Sequence, residues 1–83
     1  MRIGEVLIGS TWSALERRKY AGLIQNKILD KYNVKTSATS QGDVLFVKSE
    51  FYDKLKKDIP ATKAGNLYLI NVNKTLAKKL DLL

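Results

Sequence analysis

The run Val44-Leu45-Phe46-Val47 constrains the fold more than any other part of the chain. Four apolar residues in a row fill both faces of a pleated strand, and the run is too short for a buried helix. It therefore predicts a central strand covered on both sides. Ser40-Gln41-Gly42-Asp43 precedes it with turn chemistry: Gly42 tolerates positive φ, and Ser and Asp bond locally to backbone.

The remaining elements are read outward from that strand. Residues 2–9, with the β-branched Ile3, Val6 and Ile8, predict a short strand ended by Gly9. Ser10 and Thr11 are N-cap candidates for a helix over 12–32, in which Ala14, Ala21, Ile24, Ile28 and Tyr32 form one stripe. Gly22 interrupts that helix, and Trp12, Leu15 and Leu23 lie off the stripe. Either the helix buries two faces, its first half meets a partner, or the chain breaks near Gly22. Residues 34–38 suggest a weak edge strand. Ser49 is placed to cap a helix over 50–58, with Phe51, Leu55 and Ile59 on one side and Pro60 as its stop. Residues 60–66 read as a loop, 67–72 as a strand, and Asn73 as the cap of a terminal helix aligning Leu76, Leu80 and Leu83.

The order is β-α-β-β-α-β-α within a single α+β domain spanning residues 1–83. Its first six elements match the split βαβ, or ferredoxin-like, arrangement. Helices would then cover one sheet face. The open face would receive a partner, a nucleic acid or the terminal helix.

The opening Met1-Arg2-Ile3-Gly4-Glu5-Val6 and the segment Gly42-Asp43-Val44-Leu45-Phe46-Val47 are similar to the pentameric vertex proteins of bacterial microcompartment shells. The chain departs from them at Ser49-Glu50-Phe51-Tyr52, where that family carries a loop of small residues, and its long helical pattern differs from their β-barrel. No family membership is assigned on these segments.

Several chemistries are excluded by composition. With no cysteine and no histidine, the chain has no disulfide, thiol nucleophile, thiolate or imidazole metal site, or Ser-His-Asp triad. Gly4, Gly9, Ser10 and Thr11 lack the lysine of a phosphate loop. Glu16 and Asp43 would suit a metal-dependent nuclease only with an acid-x-Lys on the next strand, and Lys48-Ser49-Glu50 reverses it. Asp43 reads instead as a turn residue and Glu50 as a first-turn helix acid. The expectation is a non-enzymatic protein with no cofactor and no metal. No apolar run approaches the roughly 20 residues of a membrane span, and no targeting segment is visible, so the expected location is cytoplasmic.

Charge is the positive signal. Fifteen Lys and Arg against eight Asp and Glu give a net charge of +7. Arg17, Arg18 and Lys19 form one cluster, extended along the same helix by Lys27 and Lys31. Lys54, Lys56 and Lys57 form a second, and Lys74, Lys78 and Lys79 a third on the terminal helix. Gathered on one side, they would bind the phosphate backbone of DNA or RNA with salt-dependent affinity. The other reading is an assembly subunit, forming a homo-oligomer or meeting an acidic protein surface. Trp12, beside the helix start, is either a core lid or an interface anchor, and Tyr20 is its companion interface candidate. Tyr52 and Tyr68 are further stacking candidates, while Phe46 and Tyr68 read first as core or cross-strand packing.

Overall fold

A computed structural model describes residues 12–83. The strand expected over 2–9 and the caps expected at Ser10 and Thr11 lie outside the described residues. Helix α1 spans Ala14–Tyr32. Its N-cap is Ser13, whose hydroxyl accepts from the Glu16 amide at 3.2 Å. Asn33, left-handed at φ 59°, closes the helix by donating its amide to the Leu29 carbonyl at 2.9 Å. Gly22 does not break it. An added Cβ there would meet nothing within 4 Å, and burial of Ala21, Ile24 and Ile28 outweighs a penalty of about 1 kcal/mol. The stripe holds at those three residues and the half-buried Tyr32, while Ala14 is exposed.

Strands β1 (Ser37–Ala38) and β2 (Val44–Lys48) form an antiparallel pair. The turn between them is tied by Thr39. Its hydroxyl donates to the Asp43 carboxylate at 2.6 Å, and the Gly42 amide donates to its carbonyl at 3.0 Å. That hydroxyl contact is the main cause holding the Asp43 carboxyl below its usual range. Asp43 is thus engaged as a turn residue.

Helix α2 is only Ser49–Tyr52, followed by turns to Asp58, so the helix expected over 50–58 is cut short. Ser49 is its first residue rather than its cap, and its hydroxyl and amide both donate to the Asn66 carbonyl. Beyond Tyr52 the amides of Lys54, Leu55 and Asp58 reach three residues back, the tighter 3₁₀ spacing. The Tyr52 hydroxyl donates to the Ile59 carbonyl at 2.6 Å and draws the segment back on itself. Leu55 and Ile59 are fully buried, but Phe51 is 42% exposed and leaves the side expected for it.

Residues 60–66, read as a loop, contain strand β3 (Thr62–Ala64), which pairs antiparallel with β4 (Leu67–Asn71). Gly65 at φ 64° makes the tight turn possible. Helix α3 (Lys74–Lys79) is capped by Asn73, whose Oδ1 accepts from the Leu76 amide at 2.8 Å. Leu76 and Leu80 are buried, whereas Leu83 is 54% exposed.

The strands form one antiparallel sheet in the order β1-β2-β4-β3. This is an α+β fold, but not the ferredoxin-like order, which would set the first strand between β2 and the last one. Here β2 and β4 pair directly along five residues, from Val44 opposite Asn71 to Lys48 opposite Leu67. That register lays Leu45, Val47 and Ile70 on one face, packed with α1, α2 and α3 residues in the core. The alternate residues Val44, Phe46, Leu67 and Leu69 face the other way and are only half-buried. The central position of β2 is as expected; full cover on both faces is not.

Candidate nucleic-acid interface

Eight of the fourteen basic residues among the described ones fall in three places. At the start of α1, Arg17 directs its Nε to the Gln41 carbonyl at 3.4 Å, a long contact that ties the helix to the β1–β2 turn. The Arg18 backbone lies beneath the same turn, where a Cβ on Gly42 would come within 2.8 Å of its Cα. Lys19 lies 5.7 Å from the centre of the Tyr20 ring. Arg17 and the Arg18 backbone thus seat the turn, although the Arg18 and Lys19 side chains stay exposed.

About 20 Å further along α1, at 1.5 Å per residue, the geometry changes. Lys31 from the last turn of α1, Lys57 from the turns after α2 and Lys79 from the end of α3 line one cleft of about 160 Å³ with Tyr32, Asp58 and Leu80. One member of each expected cluster meets there. The cleft is braced from within. The Tyr32 hydroxyl donates to the Asp58 carboxylate at 2.8 Å, and Lys79 Nζ donates to the Asp58 carbonyl at 3.0 Å. Burial, reinforced by the Asp58 carboxylate, pushes the Tyr32 hydroxyl up to about 12, so it remains a donor through the neutral range. Lys31 also sits 5.6 Å from the centre of the Tyr32 ring.

Fifteen Lys and Arg, less Arg2 outside the described residues, leave fourteen. Among the described residues one carboxylate pair is within 4 Å, Lys56 with Asp53 at 3.5 Å. The positive charges are therefore not neutralised one by one. Lys54 and Lys78 are exposed near the cleft in sequence, and Lys27 and Lys74 are half-buried. Lys31, Lys57 and Lys79 line that cleft together, whereas the Arg17–Lys19 cluster stands at the opposite end of α1.

The third place was missed by the sequence reading. Lys35 and Lys48 line a cleft of about 580 Å³ together with Thr36, Ser37, Phe46, Phe51 and Leu67, on the half-buried face of the sheet. Lys48 follows Phe46 by two residues in β2, so the two share a face, and that spacing was the available signal.

Trp12 is 8% exposed and stacks on Tyr20, with ring centres 4.6 Å apart and planes 10° from parallel. Trp12 belongs to the core cluster, and Tyr20 packs against it. Tyr52 and Tyr68 stack likewise at 4.0 Å, and burial raises the Tyr52 hydroxyl. Among the described residues no three acids are grouped to hold a metal ion, and no helix is long and apolar enough to cross a membrane. Comparison with known proteins found no matching family model, no matching curated protein and no matching solved structure.

Proposed function

We propose that this protein is a non-enzymatic nucleic-acid-binding domain that holds the phosphate backbone with lysines converging at the far end of α1. The observation that carries the reading is the meeting of Lys31, Lys57 and Lys79, from three separate elements, around one cleft whose single carboxylate is engaged by Tyr32. Three ammonium groups so placed raise the local positive potential well above that of isolated surface lysines. Lys54 and Lys78 are exposed on the segments that carry Lys57 and Lys79. Binding of this kind releases counterions, so its affinity falls steeply with salt.

The test is fluorescence anisotropy with a labelled oligonucleotide across a salt series. Changing Lys31, Lys57 and Lys79 to Gln should flatten the logarithmic salt dependence by about one unit per lysine. Arg18→Gln with Lys19→Gln, at the other end of α1, should change it less. Equal effects would place the contact elsewhere, and no binding by the unaltered protein at low salt would end the proposal.

A second reading, an assembly subunit or a partner of an acidic protein, is favoured by the outer side of α1. Leu15 is 75% exposed there and Leu29 38%. Sedimentation that shifts with concentration and is abolished by Leu15→Glu would favour it over the first.

A further inference from the structure

The half-buried sheet face lies outside the lysine cleft but connects with it. In the register, Phe46 stands opposite Ser37 on one side and Leu69 on the other, while Leu67 stands opposite Lys48 and Ala64. All of these share the face turned away from Leu45, Val47 and Ile70. At one end lies the 580 Å³ cleft of Phe46, Phe51, Leu67, Lys35 and Lys48, a size within the range of about 300–1,000 Å³ usual for ligand sites. Toward the other end, Leu69, Asn71 and Thr62 line a groove of about 350 Å³ with Lys79, and Lys79 also lines the lysine cleft. Phe46 of the first cleft and Leu69 of the groove are cross-strand partners, and Lys79 lines both the groove and the lysine cleft, so a track of adjoining sites runs from Lys35 and Lys48 to Lys79, Lys31 and Lys57.

We propose that this track takes a single-stranded nucleic acid, with unpaired bases stacking on Phe46 and Phe51 while Lys35 and Lys48 hold the adjoining phosphates. The proposal rests on the phosphate-binding reading above and names its substrate class. Two features select this occupant. A protein partner or a second copy would press an apolar core onto the face, and interface cores are depleted in lysine. Here two lysines and no carboxylate stand in the lining of the aromatic cleft; the nearest acid in sequence, Glu50, lines the adjoining one. A duplex offers phosphates to the lysines but keeps its bases stacked inside, so the aromatic rings would go unused. A single strand offers both, and base stacking on aromatic side chains is indifferent to base identity.

The test compares oligothymidylate of about 15 nucleotides with a duplex of equal length at low salt, by anisotropy. Phe46→Ala should weaken single-strand binding about 5- to 150-fold and leave duplex binding unchanged, and Phe46→Tyr should restore it. The salt slope of Phe46→Ala should match that of the unaltered protein, because no phosphate contact is removed. Circular dichroism reports whether Phe46→Ala is folded. Independently of any variant, photocrosslinking with bromodeoxyuridine-substituted single strand should label the peptides carrying Phe46 and Phe51. Labelling confined to the peptides of Lys31, Lys57 and Lys79 overturns the proposal. So does equal binding of single strand and duplex that depends on those lysines and ignores Phe46, which leaves the phosphate reading standing. Absence of binding to either nucleic acid removes both. A dimer in sedimentation that Phe46→Ala dissolves, without effect on nucleic acid, identifies a second copy as the occupant and also overturns it.

Discussion

Replacing Gly42 by alanine tests how the sheet is locked to the long helix. Gly42 sits at φ 72° in the β1–β2 turn. An L-residue held in that left-handed conformation costs about 1–2 kcal/mol. The steric cost is separate. The new Cβ would lie 2.8 Å from Arg18 Cα, 3.2 Å from Arg18 N and 3.3 Å from Ala21 Cβ. Two of those atoms are helix backbone and cannot swing aside, so the turn must lift from α1. Overpacking of this kind costs a further 1–3 kcal/mol or so. The sum, about 2–5 kcal/mol, is a large part of the roughly 4–12 kcal/mol expected for a domain of this length.

Two other glycines separate the contributions. Gly65 has nearly the same dihedral, φ 64°, but nothing within 4 Å of its would-be Cβ, so Gly65→Ala should lose only the dihedral cost of about 1–2 kcal/mol. Gly22 lies inside α1 in open space, and Gly22→Ala should gain about 0.5–1 kcal/mol. Urea denaturation followed by circular dichroism should rank the midpoints Gly22→Ala, unaltered protein, Gly65→Ala, Gly42→Ala from highest to lowest. If Gly42→Ala and Gly65→Ala coincide, the turn does not rest on the helix, and the Arg17–Gln41 contact loses its structural meaning. The lysine cleft lies at the other end of α1, so folded Gly42→Ala protein should keep the nucleic-acid affinity of the unaltered chain.

The Tyr32 hydroxyl, pushed up to about 12 by burial and Asp58, ties stability to alkaline pH. The folded state holds its proton more tightly than the unfolded one, so this contribution is complete below the ordinary value near 10 and is lost as pH rises from there toward 12. Ultraviolet titration should show Tyr32 ionising late, beside Tyr52, which burial also raises, and Tyr32→Phe should remove one tyrosine from that late step; a late step unchanged in amplitude would contradict the Tyr32–Asp58 hydrogen bond. Asn73→Ala should cost about 1 kcal/mol by removing the α3 cap, with Asn73→Asp retaining most of it in thermal melts. Ser13→Ala should cost a similar amount at the start of α1, and a neutral result would move that helix start elsewhere.

Much of the fold was legible because burial imposes a period on the sequence. Ala21, Ile24 and Ile28 mark the inner side of α1, and Leu76 and Leu80 that of α3. The start of α1 was misplaced because Ser10, Thr11 and Ser13 are all competent caps; only Ser13 sets a glutamate three residues on, the capping-box spacing that decides the case. Strand β3 escaped notice because its three residues are all exposed and leave no alternation to read. Its signal lay in the turn, Gly65-Asn66, a two-residue hairpin dipeptide between Ala64 and Leu67. The pairing of β2 with β4 was beyond reach, since alternation tells which face a residue occupies and not which strand lies alongside.

The site was less legible than the fold for a related reason. Clusters along the chain suggested where positive charge gathers, yet Lys31, Lys57 and Lys79 meet only because three elements end at one place. Within Val44–Val47 every side chain is apolar, so composition could not separate the core face from the open one. The separation comes one residue later. Lys48 continues the parity of Val44 and Phe46, and a lysine ends in a core only at a desolvation cost that pairing must offset. The face carrying Lys48 must therefore reach water, and Phe46 with it, leaving Leu45 and Val47 to the helices. An aromatic ring on a face that a lysine keeps wet is not finished by the chain's own core, and that is why binding experiments should begin at Phe46.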